Sequence, residues 1–226
     1  MKKGWCLPGA PSAEFVAAME DVLEVYHRPY DAEHPVVGLD ECRKPLIGEV
    51  RQPLPPKPGH VAKEDSESER RGTANVFMAV EPLAGQRTTQ VTERRTRVDW
   101  ARFVQLLLVT VYPVAKKVVL VMDNLNTHGI ARLYEAFAPE VARALAERLE
   151  IHYTPKHGSW LNRAETELSV LAGQCLDRRI DDRERMAREV AAWQTARNAT
   201  QARINWQFQT IDARIKLKRL YPSFDE

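Results

Sequence analysis

A short apolar run in the middle of the chain limits the choice of fold more than any other feature. Residues 118–122 read Val-Val-Leu-Val-Met, and Asp123 follows directly. A continuous apolar run of this length is typical of a strand that is covered on both faces. The hydrophobic content of 44% supplies enough apolar residues to cover it. The segment Lys117–Met122 therefore predicts a buried strand in the central sheet of an α/β protein.

Apolar spacing and turn residues divide the rest of the chain into strands and helices. Five further strands are predicted, with a hairpin turn at 41–45 between the first two: Val36–Leu39, Leu46–Val50, Asn75–Val80, Arg87–Thr92 and Ile151–Tyr153. Six helices are predicted, the first capped by Ser12 and the last by Thr210: Ala13–Tyr26, Val98–Val111, Ile130–Leu149, Ser159–Leu176, Arg183–Asn198 and Ile211–Leu220. Hairpin strands followed by alternating strands and helices indicate a central mixed sheet with helices on both faces.

The chain is predicted to consist of two unequal parts. Residues 1–35 form a helix and a linker, and residues 36–226 form the main domain. Within the main domain, residues 51–72 are rich in proline and charge and have no apolar pattern. Such a long segment without a core of its own predicts a loop that is either mobile or functional, and we expect mobility.

Composition excludes several classes of protein. The longest apolar runs are too short to span a bilayer, and no apolar run of signal-peptide type follows the basic N-terminus. The three cysteines form no CxxC pair, which argues against a zinc site or a disulfide framework. The net charge of +2 is only a weak indication of a polyanionic partner. We therefore expect a cytoplasmic protein with no membrane partner.

Three acidic residues are candidates for chemistry. Asp40 and Asp123 each follow a short apolar strand, where a carboxylate is costly unless a metal ion, a salt bridge or a helix N-terminus neutralises it. On the predicted helix after the last strand, Glu165 and Glu167 flank the apolar stripe on opposite sides. Helical spacing does not choose between these two glutamates, and either could be a solvated charge at the edge of the helix.

Two longer motifs resemble those of a known family. Met122-Asp123-Asn124-Leu125-Asn126-Thr127-His128 resembles the second-aspartate motif of DDE-type bacterial insertion-sequence transposases in the mariner superfamily. Residues 153–162, Tyr-Thr-Pro-Lys-His-Gly-Ser-Trp-Leu-Asn, resemble the third-acid motif, in which the acid comes three residues after the asparagine. Leu39-Asp40-Glu41 matches the first motif, and the resemblance covers nearly the whole chain.

The resemblance implies a fold and a mechanism. It implies a ribonuclease H-like fold in which Asp40, Asp123 and Glu165 are the catalytic residues and bind Mg²⁺ or Mn²⁺, with two ions expected. Two metal ions could clamp the attacking and leaving oxygens of an in-line displacement at phosphorus. The implied activity is DNA cleavage and strand transfer. Because Glu165 is the residue selected, we expect Glu167 to be dispensable.

Double-stranded DNA, as transposon ends and as target, is the implied partner, and a homodimer is the expected active form. Candidate DNA-binding residues are of two kinds. The first lie in or beside the motifs: Asn126, His128, Lys156, His157, Trp160 and Asn162. The second are the basic residues Arg178 and Arg179, at the start of a cluster that suits contacts to the phosphate backbone. For each of them a structural role is the alternative, such as a core aromatic for Trp160 or support of Glu165 for Asn162.

Members of this family usually have a helix-turn-helix region before the catalytic domain. Fewer than forty residues precede Asp40, and they hold one obvious helix. We therefore expect a catalytic half without its own reader of the transposon ends, at work in the bacterial nucleoid. Two alternatives remain open: a metal-dependent nuclease that cuts without joining, and a truncated, inactive transposase that inhibits a full-length copy by dimerising with it or by binding DNA.

Overall fold

The computed structural model of the chain describes residues 7–52, 54–63 and 65–223. Within them, five strands form one mixed sheet in the order β3-β2-β1-β4-β5. Strand β2 is antiparallel to both of its neighbours, β1 and β3, whereas β4 and β5 run parallel to β1. The strands are β1 (Val36–Glu49), β2 (Ser68–Glu81), β3 (Gln86–Thr92), β4 (Val118–Met122) and β5 (Leu149–Tyr153).

Helices cover both faces of this sheet, as predicted. They are α1 (Ala13–Tyr26), α2 (Arg97–Leu106), α3 (Ala131–Ala136), α4 (Pro139–Glu147), α5 (Arg163–Leu171), α6 (Arg183–Ala199) and α7 (Thr210–Lys216). Successive side chains of a strand point to opposite faces. In β4, Leu120 packs in the cluster that contains α2, α3 and α4, while Val119 and Val121 pack against α1. All five residues of β4 are buried, which confirms the interpretation of this apolar run.

Helix α1 shares its core with the sheet. Met19, Val22 and Leu23 are fully buried in the cluster that contains Val119 and Val121. The amide of Phe15 donates to Ser12 Oγ at 3.2 Å, so Ser12 caps this helix as predicted. The helix of the predicted first part thus packs onto the predicted main domain. Residues 1–6 and 224–226 of these two parts, and residues 53 and 64 of the predicted loop, lie outside the described residues.

The hairpin predicted at 41–45 is wrong. Strand β1 runs without a turn from Val36 through Asp40 to Glu49, and β2 pairs with it along nearly its whole length. Residues 68–72, predicted as part of the loop, belong to β2. Their side chains are exposed, so the sequence Ser-Glu-Arg-Arg-Gly shows no apolar alternation. Backbone pairing with the far end of β1 holds this ribbon of two strands.

The single helix predicted over Ile130–Leu149 is divided in two. Proline disfavours the helical conformation of the residue before it and is well tolerated at the first position of a helix. Accordingly, α3 ends at Ala136, Ala138 is not helical (ψ 148°), and α4 begins at Pro139. None of the helices in the described ranges is long and apolar enough to cross a membrane.

Candidate active site

Asp40 and Asp123 lie on neighbouring strands of the sheet. The parallel register pairs Val36 with Val119 and Gly38 with Val121. Continued by two residues, this register sets Asp40, inside β1, beside Asp123, which follows β4 directly. Both side chains are partly exposed, so the strands bring two carboxylates to the surface at the same edge of the parallel part of the sheet.

Helix α5 carries Glu165 in its first turn. Gly38 allows this helix to approach β1 closely, because a Cβ added at Gly38 would lie 3.1 Å from Arg163 Cβ and 3.3 Å from the Ala164 amide nitrogen. The buried side chain of Asn162 fixes the junction by donating to the Leu39 carbonyl (3.2 Å) and accepting from the Ala164 amide (3.0 Å). The start of α5 is thus attached to the residue that precedes Asp40.

The three carboxylates interact electrostatically. Burial, together with the negative charges of Asp123, Glu41 and Glu165, raises the pKa of Asp40 to about 7, although the hydrogen bond from the Glu41 amide lowers it. Burial also raises the pKa of Glu165, and the charge of Asp123 adds to the increase, while the Ser159 hydroxyl opposes it. Within the described parts of the chain, no lysine, arginine or histidine forms an ion pair with Asp40 or Glu165. Asp40 and Glu165 therefore have no cationic partner among the described residues.

Asp123 differs from the other two acids because a buried histidine holds it. His128 Nδ1 lies 2.7 Å from Asp123 Oδ1, and His128 Nε2 lies 3.1 Å from Glu41 Oε2. The imidazole is fully buried and stacks on Trp100, with ring centroids 5.8 Å apart. Burial alone would lower the pKa of His128, but the Asp123 and Glu41 carboxylates raise it to about 10. A protonated His128 therefore bridges the strand-end aspartate and the glutamate that follows Asp40.

The donor set suits a hard divalent cation. Mg²⁺ and Mn²⁺ prefer carboxylate oxygens, and Asp40, Asp123 and Glu165 supply such oxygens. Among the described residues, no cation forms an ion pair with Asp40 or Glu165. As placed, the described residues contain no group of three His, Cys, Asp or Glu side chains close enough to form a complete ligand set. Asp123 is turned towards His128. The residues fit a metal ion by charge and chemistry.

Two hollows lie beside the acids. A cleft of about 780 Å³ is lined by Asp123, by the loops after β4 and β5, and by the first turn of α1. A second hollow of about 400 Å³ is lined by Asp40, Glu165 and the neighbouring residues of β1 and α5. Lys156 and His157, two predicted DNA-binding residues, are exposed at the wall of the larger cleft. The structure thus brings these two residues to Asp123.

Several other predicted DNA contacts do not fit their surroundings. His128 and Asn162 are buried and hold Asp123 and α5, so we reassign them from DNA binding to support of the acids. Trp160 is half-buried and packs on Trp206 (ring centroids 6.3 Å apart) and Phe208 (5.8 Å), which favours the core aromatic over a base-stacking residue. Asn126 is exposed in the loop after β4.

The predicted backbone-binding arginines are engaged by the protein. Arg178 Nη2 lies 2.6 Å from Glu189 Oε2. Arg179 forms an ion pair with Glu49 and donates to the Asp65 main-chain carbonyl at 2.8 Å. Each arginine already has an acidic partner within the protein. The two arginines therefore hold α6 and the β1–β2 loop in place. Sequence spacing showed a basic cluster but not the acids that fold onto it.

Glu167 is buried, and its contacts with two arginines indicate a structural role. Its two oxygens accept from Arg87 Nε and Arg197 Nη2, each at 3.0 Å, and its side chain is 2% exposed. Burial would raise the pKa of Glu167, but the hydrogen bonds from the two arginines hold it below its ordinary value. Arg87 also donates to the carbonyls of Gly85 and Ala202. This cluster fastens α5 to β3 and α6, on the side of the helix away from Glu165.

Sequence reasoning missed the roles of Glu41 and Trp100. Glu41 was noted only as the residue after Asp40, although it is buried and bonded to His128. Trp100, which lies within the predicted helix Val98–Val111, stacks on the same histidine. The signal was present as an acid at 41 and a histidine five residues after Asp123. Only the fold shows that the two meet.

The raised pKa of Asp40 predicts how stability depends on pH without metal. Between 3.8, its ordinary value, and about 7, the native state binds the proton more tightly than the unfolded chain. The contribution of Asp40 to the free energy of unfolding is therefore greatest below pH 3.8 and is lost as the pH rises to about 7. We expect Asp40→Asn to remove this loss and to raise Tm at pH 8 in a chelator. Thermal melts of both proteins from pH 4 to pH 8 test this, and parallel curves would contradict it.

Comparison with known proteins agrees with the fold. A family described as DDE superfamily endonuclease matches residues 35–187. This is more than half of the chain, and the chain therefore belongs to that family. No curated protein sequence matches it significantly.

Several solved structures with a similar fold are complexes of the Mos1 transposase. The chain is similar to the Mos1 mariner paired-end complex with Mn, with a TM-score of 0.57 and 16% identity over 89% of this chain and 61% of that one. For the Mos1 strand transfer complex the TM-score is 0.60 and the identity is 15%, over 89% of this chain and 60% of that one. For the paired-end complex with Mg the TM-score is 0.57 and the identity is 17%, over 99% of this chain and 68% of that one. The fold is thus the ribonuclease H-like fold of that catalytic domain, and the chain spans about three fifths of the first Mos1 chain.

Proposed function

We propose that this chain is a transposase catalytic domain that cuts DNA and joins the resulting 3′ ends to new DNA. The observation that carries the proposal is the group of Asp40, Asp123 and Glu165: burial and the charge of Asp123 raise the pKa of Asp40 and of Glu165, and neither of these two acids has a cationic partner among the described residues. Membership in the DDE superfamily endonucleases supports cleavage, and the likeness in fold to a strand transfer complex supports joining.

In this proposal the three acids hold Mg²⁺ or Mn²⁺, in keeping with the Mn and Mg in the Mos1 complexes. When bound, two such ions supply activation of the attacking oxygen and stabilisation of the leaving oxygen in an in-line displacement at phosphorus. His128 fixes the orientation of Asp123, because its imidazole nitrogen lies 2.7 Å from the carboxylate oxygen. Asn162 keeps Glu165 beside Asp40 by attaching the start of α5 to β1.

The exposed residues of the larger cleft have a role in binding. Lys156 and His157 lie beside Asp123, where they are available to phosphate oxygens of the DNA strand that is cut. The proposed partners are double-stranded transposon ends and target DNA. Because the similar Mos1 structures include paired-end complexes, we propose that the active form is a homodimer that brings two ends together.

Incubation with DNA in Mn²⁺ separates this function from its alternatives. The substrates are a supercoiled plasmid and a labelled duplex with a free 3′-hydroxyl. We expect nicking of the plasmid and covalent joining of the duplex to it, both lost in Asp123→Asn. Nicking without joined product would indicate a nuclease that only hydrolyses. The absence of both products would favour a non-catalytic role and contradict the proposal.

A further inference from the structure

The two-stranded ribbon of β1 and β2 carries arginines on one face, and two of them have no acidic partner among the described residues. In β1, Arg43 is two residues after Glu41 and therefore points to the same face of the sheet, the face on which His128 lies. Arg43 pairs across the strands with Asn75. Arg95, in the loop after β3, reaches Glu41 at 3.8 Å and so belongs to this face as well. Arg70, near the start of β2, completes the group, which we call the arginine face: Arg43, Arg70 and Arg95.

The arginine face is concave and open. Arg43 and Arg70 line a hollow of about 420 Å³, together with Pro45, Ile47, Ser68 and Thr73. No acidic side chain lines this hollow, and both arginines are exposed. Within the described ranges, neither Arg43 nor Arg70 forms an ion pair. Two guanidinium groups therefore face solvent at the wall of a groove.

The opposite face of the same ribbon is neutralised internally. Arg71, the neighbour of Arg70, points the other way and lies 3.1 Å from Glu69 and 3.6 Å from Asp181. Arg185 of α6 shares Asp181 at 3.2 Å. Arg71 and Arg185 thus have acidic partners, whereas Arg43 and Arg70 have none among the described residues. The fold causes this contrast, because the adjacent residues Arg70 and Arg71 of one strand point to opposite faces of the ribbon and only Arg71 meets acidic partners among the described residues.

The arginine face adjoins the acids through a chain of contacts. Arg95 contacts Glu41, Glu41 accepts from His128, and His128 holds Asp123. Asp40 itself points to the other face of β1, so the connection runs through Asp123. A ligand that extends from Asp123 along this face meets Arg95, then Arg43, then Arg70. Arginine pairs well with phosphate because its planar group donates two parallel hydrogen bonds. A regular series of phosphates matches such a row of cations.

We propose that the arginine face binds the phosphate backbone of double-stranded DNA next to the bond that is cut. The proposal rests on the proposed function, and it assigns DNA binding to β1 and β2 rather than to Arg178 and Arg179. Contacts of this kind position DNA without reading its sequence. They release counterions, so that the logarithm of the affinity falls with the logarithm of the salt concentration by about 0.9 for each phosphate contacted.

The test compares two double variants with the same change of charge. Binding of a labelled duplex is titrated in a chelator at several salt concentrations, with R43Q/R70Q as the test and R71Q/R185Q as the matched control. We expect R43Q/R70Q to lose roughly tenfold or more in affinity at physiological salt and to show a salt slope shallower by about 1.8, which is two contacts at about 0.9 each. R71Q/R185Q should keep the wild-type slope, because its arginines are already paired with acids. Circular dichroism and thermal melts confirm that both variants fold.

The outcomes distinguish this inference from the proposed function. If the wild type binds and nicks DNA while R43Q/R70Q keeps the wild-type dependence of affinity on salt, the arginine face does not bind DNA. The proposed active site would be unaffected by that result. An equal loss in R71Q/R185Q also overturns it, because the effect would then be one of net charge. If poly-glutamate displaces the duplex as well as unlabelled DNA does, the face does not select a nucleic acid. A wild type that binds no DNA overturns both.

Discussion

Replacing Asp123 by asparagine is expected to reduce the rate of metal-dependent DNA nicking by roughly a thousandfold, about 4 kcal/mol of transition-state stabilisation. Asparagine keeps the shape of the side chain but removes the charge that a divalent cation requires. The fold should be unaffected, because Asp123 lies at the end of β4 with a side chain that is 35% exposed. Initial rates on a supercoiled plasmid in Mn²⁺ measure the effect.

Two further substitutions make the result specific. In His128→Gln, the proposed metal ligands remain but the group that holds Asp123 loses its charge, so we expect a smaller loss of about 10- to 100-fold, as is usual for residues that support metal ligands. Asp177→Asn changes an exposed acid outside the site and should have the wild-type rate. A wild-type rate in Asp123→Asn, or a greater loss in Asp177→Asn, would exclude Asp123 as a ligand.

Replacing Glu167 by glutamine is expected to destabilise the protein by about 3–5 kcal/mol, because it leaves buried guanidinium charge without its partner. Arg87 is fully buried, and Glu167 is the acid that it contacts, at 3.0 Å. At about 2–4 °C of Tm for each kcal/mol in a chain of this size, the melting temperature should fall by roughly ten degrees. Thermal and denaturant unfolding measure the loss directly.

The control for Glu167 is another glutamate in an ion pair. Glu147 contacts Arg143 at 2.8 Å, but its side chain is 60% exposed, so Glu147→Gln should change stability by about 0.5 kcal/mol or less. Glu165→Gln should have the opposite profile to Glu167→Gln, with activity lost and stability kept. If Glu167→Gln is as stable as the wild type, the Arg87–Glu167–Arg197 cluster does not hold α5 in place.

The sequence was most informative where burial and chemistry coincide. The apolar run before Asp123 predicted β4, because a strand covered on both faces leaves a continuous apolar pattern. The order of elements predicted a mixed sheet with helices on both faces, and the fold confirms it. The roles of Asp40, Asp123 and Glu165 remain a prediction, because spacing along the chain does not report how carboxylates share an ion.

Features that depend on distant partners could not be predicted. Residues 68–72 are polar on both faces and form a strand only because β1 offers a backbone to pair with. Glu165 and Glu167 flank the apolar stripe of α5 equally, and only the buried Arg87 makes one of them structural. Arg70 and Arg71 are identical in type and adjacent, yet Glu69 and Asp181 neutralise only the second. Charge pairing across elements decides each of these cases.

Binding of Mn²⁺, measured by titration calorimetry without DNA, tests most directly whether these three carboxylates form a metal site. The wild type should bind saturably and release protons near pH 6, because Asp40 has a pKa of about 7 and must lose its proton to become a ligand. Asp40→Asn, Asp123→Asn and Glu165→Gln should each bind more weakly, while Asp177→Asn binds as the wild type does. Equal Mn²⁺ binding by the wild type and Asp123→Asn, or no binding by either, would contradict the assignment.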